Sequence, residues 1–148
     1  MLFDTDVLIW ALRGSKKAAR EIDGDENRFI SAVNYMELMQ GARNKQEQTM
    51  IKQFLNELGF TVLPITEAVS HRAMIFIEEH ALRSGIQLAD ALVFATACEH
   101  SLTLCSANQK HFQSIQSLDA KVFVPEKSEP LNVDYGVSGF EAGCTRTR

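Results

Sequence analysis

Short apolar runs of strand length alternate with longer stretches of helical periodicity over residues 1–125, and that alternation leaves few architectures open. Residues 1–4 read as a first strand, after which Thr5 starts a helix through Trp10 and Leu12 that stops at Gly14. A second strand is expected over 28–30, with Ser31 as the N-cap of a helix reaching about residue 43. Residues 46–58 set Met50, Ile51, Phe54, Leu55 and Leu58 on one helical stripe, ended by Gly59. Residues 60–63 form a strand stopped by Pro64, and a long helix follows over 67–83. Gly85 separates that helix from another over 88–100, and the fourth and fifth strands are expected over 102–105 and 121–124. Such an order predicts an α/β fold of three layers, α/β/α, around a mostly parallel sheet of four to five strands. In sheets of this kind the working site lies beyond the carboxyl ends of the strands. Asp4 falls at one such end and Ser106 to Asn108 at another.

The chain of 148 residues is long enough for one domain with a real core, assigned to 1–125. Residues 126–148, rich in glycine and bounded at the start by prolines, read as a weakly structured tail. No apolar run approaches the roughly 20 residues of a membrane helix, and Asp4 and Asp6 stand where a signal peptide would be apolar. A cytoplasmic protein with no membrane partner is expected, and the odd set Cys98, Cys105 and Cys144 fits reduced thiols. A net charge of −4 argues against a broad, sequence-blind grip on nucleic acid. The densest cationic run, Arg13, Lys16, Lys17 and Arg20, reads first as a solvated helix face.

Three carboxylates occupy unusual places. Asp4 closes the opening apolar run, Glu37 lies within a mostly apolar helix, and Asp90 opens the most apolar helix of the chain. Each has a plain explanation when taken alone. Asp4 can start a helix, Glu37 can share a solvent face with Asn34, Gly41 and Asn44, and Asp90 can complement a helix dipole for roughly 0.3–1 kcal/mol. Asp90 resists its plain reading, because its helical neighbours Val93, Phe94 and Ala97 are all apolar. A buried ionised carboxylate needs a partner or a metal. Three of them brought together would call for a hard divalent cation, magnesium or manganese, and open metal-assisted phosphodiester hydrolysis.

Four motifs in order carry a resemblance: Leu2-Phe3-Asp4-Thr5-Asp6; Ile30-Ser31 leading to Glu37-Leu38 and Gly41-Ala42-Arg43; Leu88-Ala89-Asp90-Ala91; and Ser106-Ala107-Asn108-Gln109-Lys110-His111-Phe112. Together they resemble the PIN-domain ribonucleases, and within them the VapC-type toxins of toxin–antitoxin pairs, over residues 1–125. The resemblance implies a metal-dependent endoribonuclease with Asp4, Glu37 and Asp90 as ligands of Mg2+ or Mn2+. It further implies Thr5, Ser106 and Asn108 as supporting or weaker ligands, and Arg43 and Lys110 as holders of the RNA backbone. A cognate antitoxin and a homodimer are implied as partners, the antitoxin lying over the acidic site and setting an arginine among the carboxylates. One departure concerns His111, which stands where many members of the family carry a further acid. It keeps open a catalytically silent PIN fold that binds RNA or protein. Asp4-x-Asp6 after an apolar strand also resembles the nucleophile motif of haloacid-dehalogenase-type phosphatases, although the late acidic pair that class needs is missing after the fourth strand.

Overall fold

The computed structural model describes residues 1–126. The tail expected over 126–148 lies, apart from its first residue, outside the described residues. Five strands form one sheet: β1 (Leu2–Phe3), β2 (Phe29–Ser31), β3 (Thr61–Leu63), β4 (Leu104–Ser106) and β5 (Ala120–Val122). Their order is β3-β2-β1-β4-β5, and every pair is parallel. The sheet is therefore wholly rather than mostly parallel. The intervening helices are α1 (Thr5–Leu12), α2 (Lys16–Asp23), α3 (Ala32–Gly41), α4 (Lys45–Glu57), α5 (Glu67–Ser84), α6 (Leu88–Glu99) and α7 (Gln109–Phe112).

Successive strand residues point to opposite faces, and the core divides accordingly. Leu2 and Leu104, paired in register, enter one apolar cluster with Val69, Phe76 and Phe94. Phe3 and Cys105, the next pair, enter the other with Leu8, Ile22, Ile30 and Ile51. Helices α5 and α6 thus cover one face, while α1, α2 and α4 cover the other. Both faces are dry, which explains why β1 and β4 read as continuous apolar runs instead of alternating ones.

Two departures from the expected elements have definable reasons. The fourth strand starts at Leu104, not residue 102, because Leu102 completes the end of α6. Ser101 takes a left-handed φ of 51°, its N–H donates to Cys98 O, and the Leu102 N–H donates back to Ala97 O. That pair of bonds is a Schellman cap, with serine in the position glycine usually fills. Helix α2 was not foreseen beyond its cationic face. Ser15 starts it, accepting from the Ala18 N–H at 3.2 Å, and Ala18 and Ile22 anchor it to the core.

Candidate active site

Strand β1 is the centre of the sheet, so whatever leaves its carboxyl end is flanked by groups from both neighbouring strands. Asp4 is that residue. Its Oδ1 accepts from the Thr5 N–H at 2.8 Å and from Asn34 Nδ2 at 3.1 Å, on the β2 side. Its Oδ2 accepts from Ser106 Oγ at 2.8 Å, on the β4 side. One turn beyond Asn34 on α3 lies Glu37, close enough to Thr5 for that side chain to favour its charged form. Asp90, in the first turn of α6, is buried and lies 2.7 Å from His111 Nδ1 on α7.

Electrostatics tie the three acids into one cluster. Burial, followed by repulsion from Asp90, raises the pKa of Asp4 even though Ser106, Thr5 and Asn34 hydrogen-bond to it. Glu37 is pushed up to about 7 by burial and then by the charges of Asp4 and Asp90. Asp6, buried beside Asp4, is also raised to about 7 by burial and by that neighbour. Among the described residues no lysine or arginine forms an ion pair with any of the four. His111 touches Asp90, and its short contact fits an Nδ1–H donating to that carboxylate. A donating Nδ1 requires the Asn108 amide, 2.9 Å away, to turn its oxygen toward the ring.

The donor set suits a hard cation. It consists of oxygens, it carries excess negative charge, and it repels itself when ionised. Among the described residues no three His, Cys, Asp or Glu side chains close into a preformed ion cage. A spread carboxylate set matches an ion that keeps several of its own waters, as magnesium does.

The raised pKa values have a consequence for stability. A carboxyl group whose folded pKa exceeds its unfolded value near 4 binds more protons in the folded state between the two values. Stability from Asp6 and Glu37 is therefore present at low pH and lost as pH rises toward and through about 7. Asp25 and Glu47, held below the usual range by the N-terminal ammonium and by Arg43, act in the opposite sense, but in a window below about pH 4.5. Thermal unfolding in chelator is expected to show a lower Tm at pH 7.5 than at pH 5. Added Mn2+ should raise Tm at pH 7.5 and have little effect at pH 5, where protons already neutralise the cluster. A Tm that climbs over this range in chelator would contradict the arrangement.

Sequence reasoning overlooked Asn34. It was grouped with Glu37 on a solvent face, yet it is fully buried and its amide spans four polar groups. Its Oδ1 accepts from Ser31 N–H and Ser31 Oγ, and its Nδ2 donates to Asp4 and Thr5. The signal was present: serine at an N-cap with asparagine three residues on is a capping-box spacing. The proposed RNA contacts fare differently from each other. Arg43 is bound to Glu47 by two guanidinium contacts of 2.8 and 2.7 Å, whereas Lys110 is exposed on α7. A cavity of about 310 Å³ opens between α1, α2 and α4, lined by Leu12, Ile22, Met50, Phe54 and Leu58. Among the described residues no helix is long and apolar enough to cross a membrane.

A wholly parallel sheet with a half-buried carboxylate cluster at its carboxyl edge defines a class, and the sequence agrees with it: residues 1–118 match the PIN domain, and the chain belongs to that family. Within the family it is 31% identical over 126 residues to ribonuclease VapC1 of Rickettsia felis, a match covering 80% of this chain and 92% of the relative. Solved structures agree in fold. A toxin–antitoxin complex from Klebsiella pneumoniae superposes with a TM-score of 0.69 at 27% identity, covering 86% of this chain and 98% of that one. FitAcB from Neisseria gonorrhoeae gives 0.65 at 25% identity, over 80% and 94% of the two chains. Family membership sets aside the phosphatase reading of Asp4-x-Asp6.

Proposed function

We propose that this chain is the ribonuclease toxin of a toxin–antitoxin pair, hydrolysing RNA phosphodiester bonds with a Mg2+ or Mn2+ ion held by Asp4, Glu37 and Asp90. The observation that carries the reading is the convergence of three mutually repelling carboxylates, remote in sequence, on one sheet edge. Similarity to ribonuclease VapC1 supports the substrate class. When bound, the ion supplies a Lewis acid for the phosphate and lowers the pKa of its water.

The protein's own part is placement and charge. Ser106, Asn34 and the Thr5 N–H hold Asp4 in fixed orientation, so its lone pairs face the cleft without searching. His111 holds Asp90 through its Nδ1, a contact that a further acid at that position would not make. Asn108 adds a neutral oxygen beside them, and Lys110, with Arg43 where RNA displaces it from Glu47, takes the phosphate backbone. Residues 1–125 form the catalytic domain.

Partners follow from the same reading. A cognate antitoxin sets an arginine among the carboxylates, neutralising the site by charge-assisted hydrogen bonds. Similarity to a toxin–antitoxin complex supports a protein partner of this kind. Exposed Met36, Leu82 and Leu88, on α3, on α5 and at the start of α6, give a homodimer its apolar surface.

Purified protein incubated with RNA tests the proposal. Cleavage with Mg2+ or Mn2+ is expected, with loss in chelator and loss on adding antitoxin. The contact between His111 and Asp90 favours one competing reading, a silent RNA-binding fold. Binding of RNA without metal-dependent cutting would establish that reading instead.

A further inference from the structure

The nuclease reading leaves one half-buried acid without a task. Asp6 sits in the first turn of α1, where an ordinary carboxylate would face water and complement the helix dipole. Instead both of its oxygens are engaged. Oδ1 accepts from the Val7 N–H at 2.7 Å, and Oδ2 accepts from the Ala107 N–H at 2.9 Å, a residue 101 positions away. Ser106 Oγ also approaches Oδ2, at 3.4 Å.

Ala107 is the hinge of the segment that supplies every contact from the β4 side. Immediately before it, Ser106 Oγ donates to Asp4 and accepts from the Asn108 N–H at 3.1 Å. Immediately after it, Asn108 meets His111, and His111 meets Asp90. No ladder bond of the sheet reaches the Ala107 N–H, because β4 ends at Ser106. Its recorded acceptor is Asp6.

We infer that Asp6 is a positioning residue: it latches the turn between β4 and α7 onto the start of α1, and so sets Ser106 against Asp4 and His111 against Asp90. The inference rests on the nuclease reading for its effect on catalysis, but not for the latch itself. Asp6 touches neither RNA nor metal in this scheme. It acts through Ala107, on two of the three proposed ligands at once.

The test uses the full chain carrying Asp6→Ala or Asp6→Asn. Amide hydrogen exchange is followed at Ala107 and Asn108, with Leu104, bonded to Asp119 O in the sheet, as the internal control. Asp6→Ala is expected to speed exchange at Ala107 and Asn108 by at least about tenfold while leaving Leu104 protected. RNA turnover at saturating Mn2+ should fall about 10–100-fold, the range for loss of an outer partner of a metal ligand, with KM for RNA nearly unchanged. Asp6→Asn keeps one neutral acceptor for Ala107 and should recover most of both losses. If the alanine variant does not fold, the asparagine variant decides alone, because weakening a charge-assisted bond still predicts faster exchange confined to Ala107 and Asn108. Unchanged protection at Ala107 overturns the latch, as does equal acceleration at Leu104. Wild-type protein that fails to cut RNA would sink the nuclease reading while the exchange data still judged the latch.

Discussion

Asp90→Asn is expected to reduce metal-dependent RNA cleavage by well over about 100-fold, the upper end of what loss of a mere outer partner costs a metal site. Asparagine has almost the same shape, and its Oδ1 can still accept from His111 Nδ1, so the contact that ties α6 to α7 survives. What disappears is a negative charge that Asp4 and Glu37 both feel. Relief of that repulsion predicts a Tm equal to or above that of the wild type in chelator. The combination of lost activity and kept or improved stability separates a ligand role from a structural one. A variant that cuts RNA normally would remove Asp90 from the site. A variant that loses activity only because it unfolds would make Asp90 a structural residue.

Asn34→Leu is expected to cost at least about 3 kcal/mol of folding free energy. Leucine fills nearly the same volume but offers no polar atoms, so it strands the Ser31 N–H in the core and removes one donor from Asp4 and one from Thr5. Each buried polar group left unpaired costs about 1–3 kcal/mol. Against a total stability of about 5–15 kcal/mol, that is a large share. For a domain near this size it corresponds to a fall in Tm of roughly 6–12 °C, read by calorimetry. Activity should fall further than stability explains, because Asp4 then retains donors only from Thr5 and Ser106. A loss of under about 0.5 kcal/mol, the range of ordinary surface substitutions, would mean that Asn34 faces solvent after all.

Much of the fold was legible because its signals are local. The apolar runs ending at Asp4 and near Ser106, the serine at position 31 and the glycines at 59 and 85 mark strand ends and helix caps that depend on a few neighbouring residues. Gly85, for example, closes α5 in the left-handed conformation that glycine adopts without strain. Less legible were features set across the sheet. Helix α2 buries only Ala18 and Ile22, too few for periodicity to reveal it. Leu102 looked like strand until the cap of α6 claimed it.

The candidate site divides along the same line. Asp4, Glu37 and Asp90 stood out because each carboxylate broke an apolar pattern. Asn34 did not, since a polar residue one turn before Glu37 looks like more of the same solvent face. Its burial is decided by β1, which places Asp4 directly against the start of α3. Likewise, nothing around His111 announces Asp90, 21 residues away, and nothing around Asp6 announces Ala107. The second pair exists because β4 lies beside β1 in the sheet, and the first because α6 and α7 meet where β4 ends.

The most direct test of the whole account is to locate the ion. Crystals of the wild-type protein soaked in Mn2+ at about pH 7.5 should show an anomalous-scattering peak bounded by Asp4, Glu37 and Asp90, and the peak should vanish from crystals of Asp90→Asn. A peak elsewhere, or carboxylates that stay bare at saturating Mn2+, would contradict the claim that these three side chains form a metal centre.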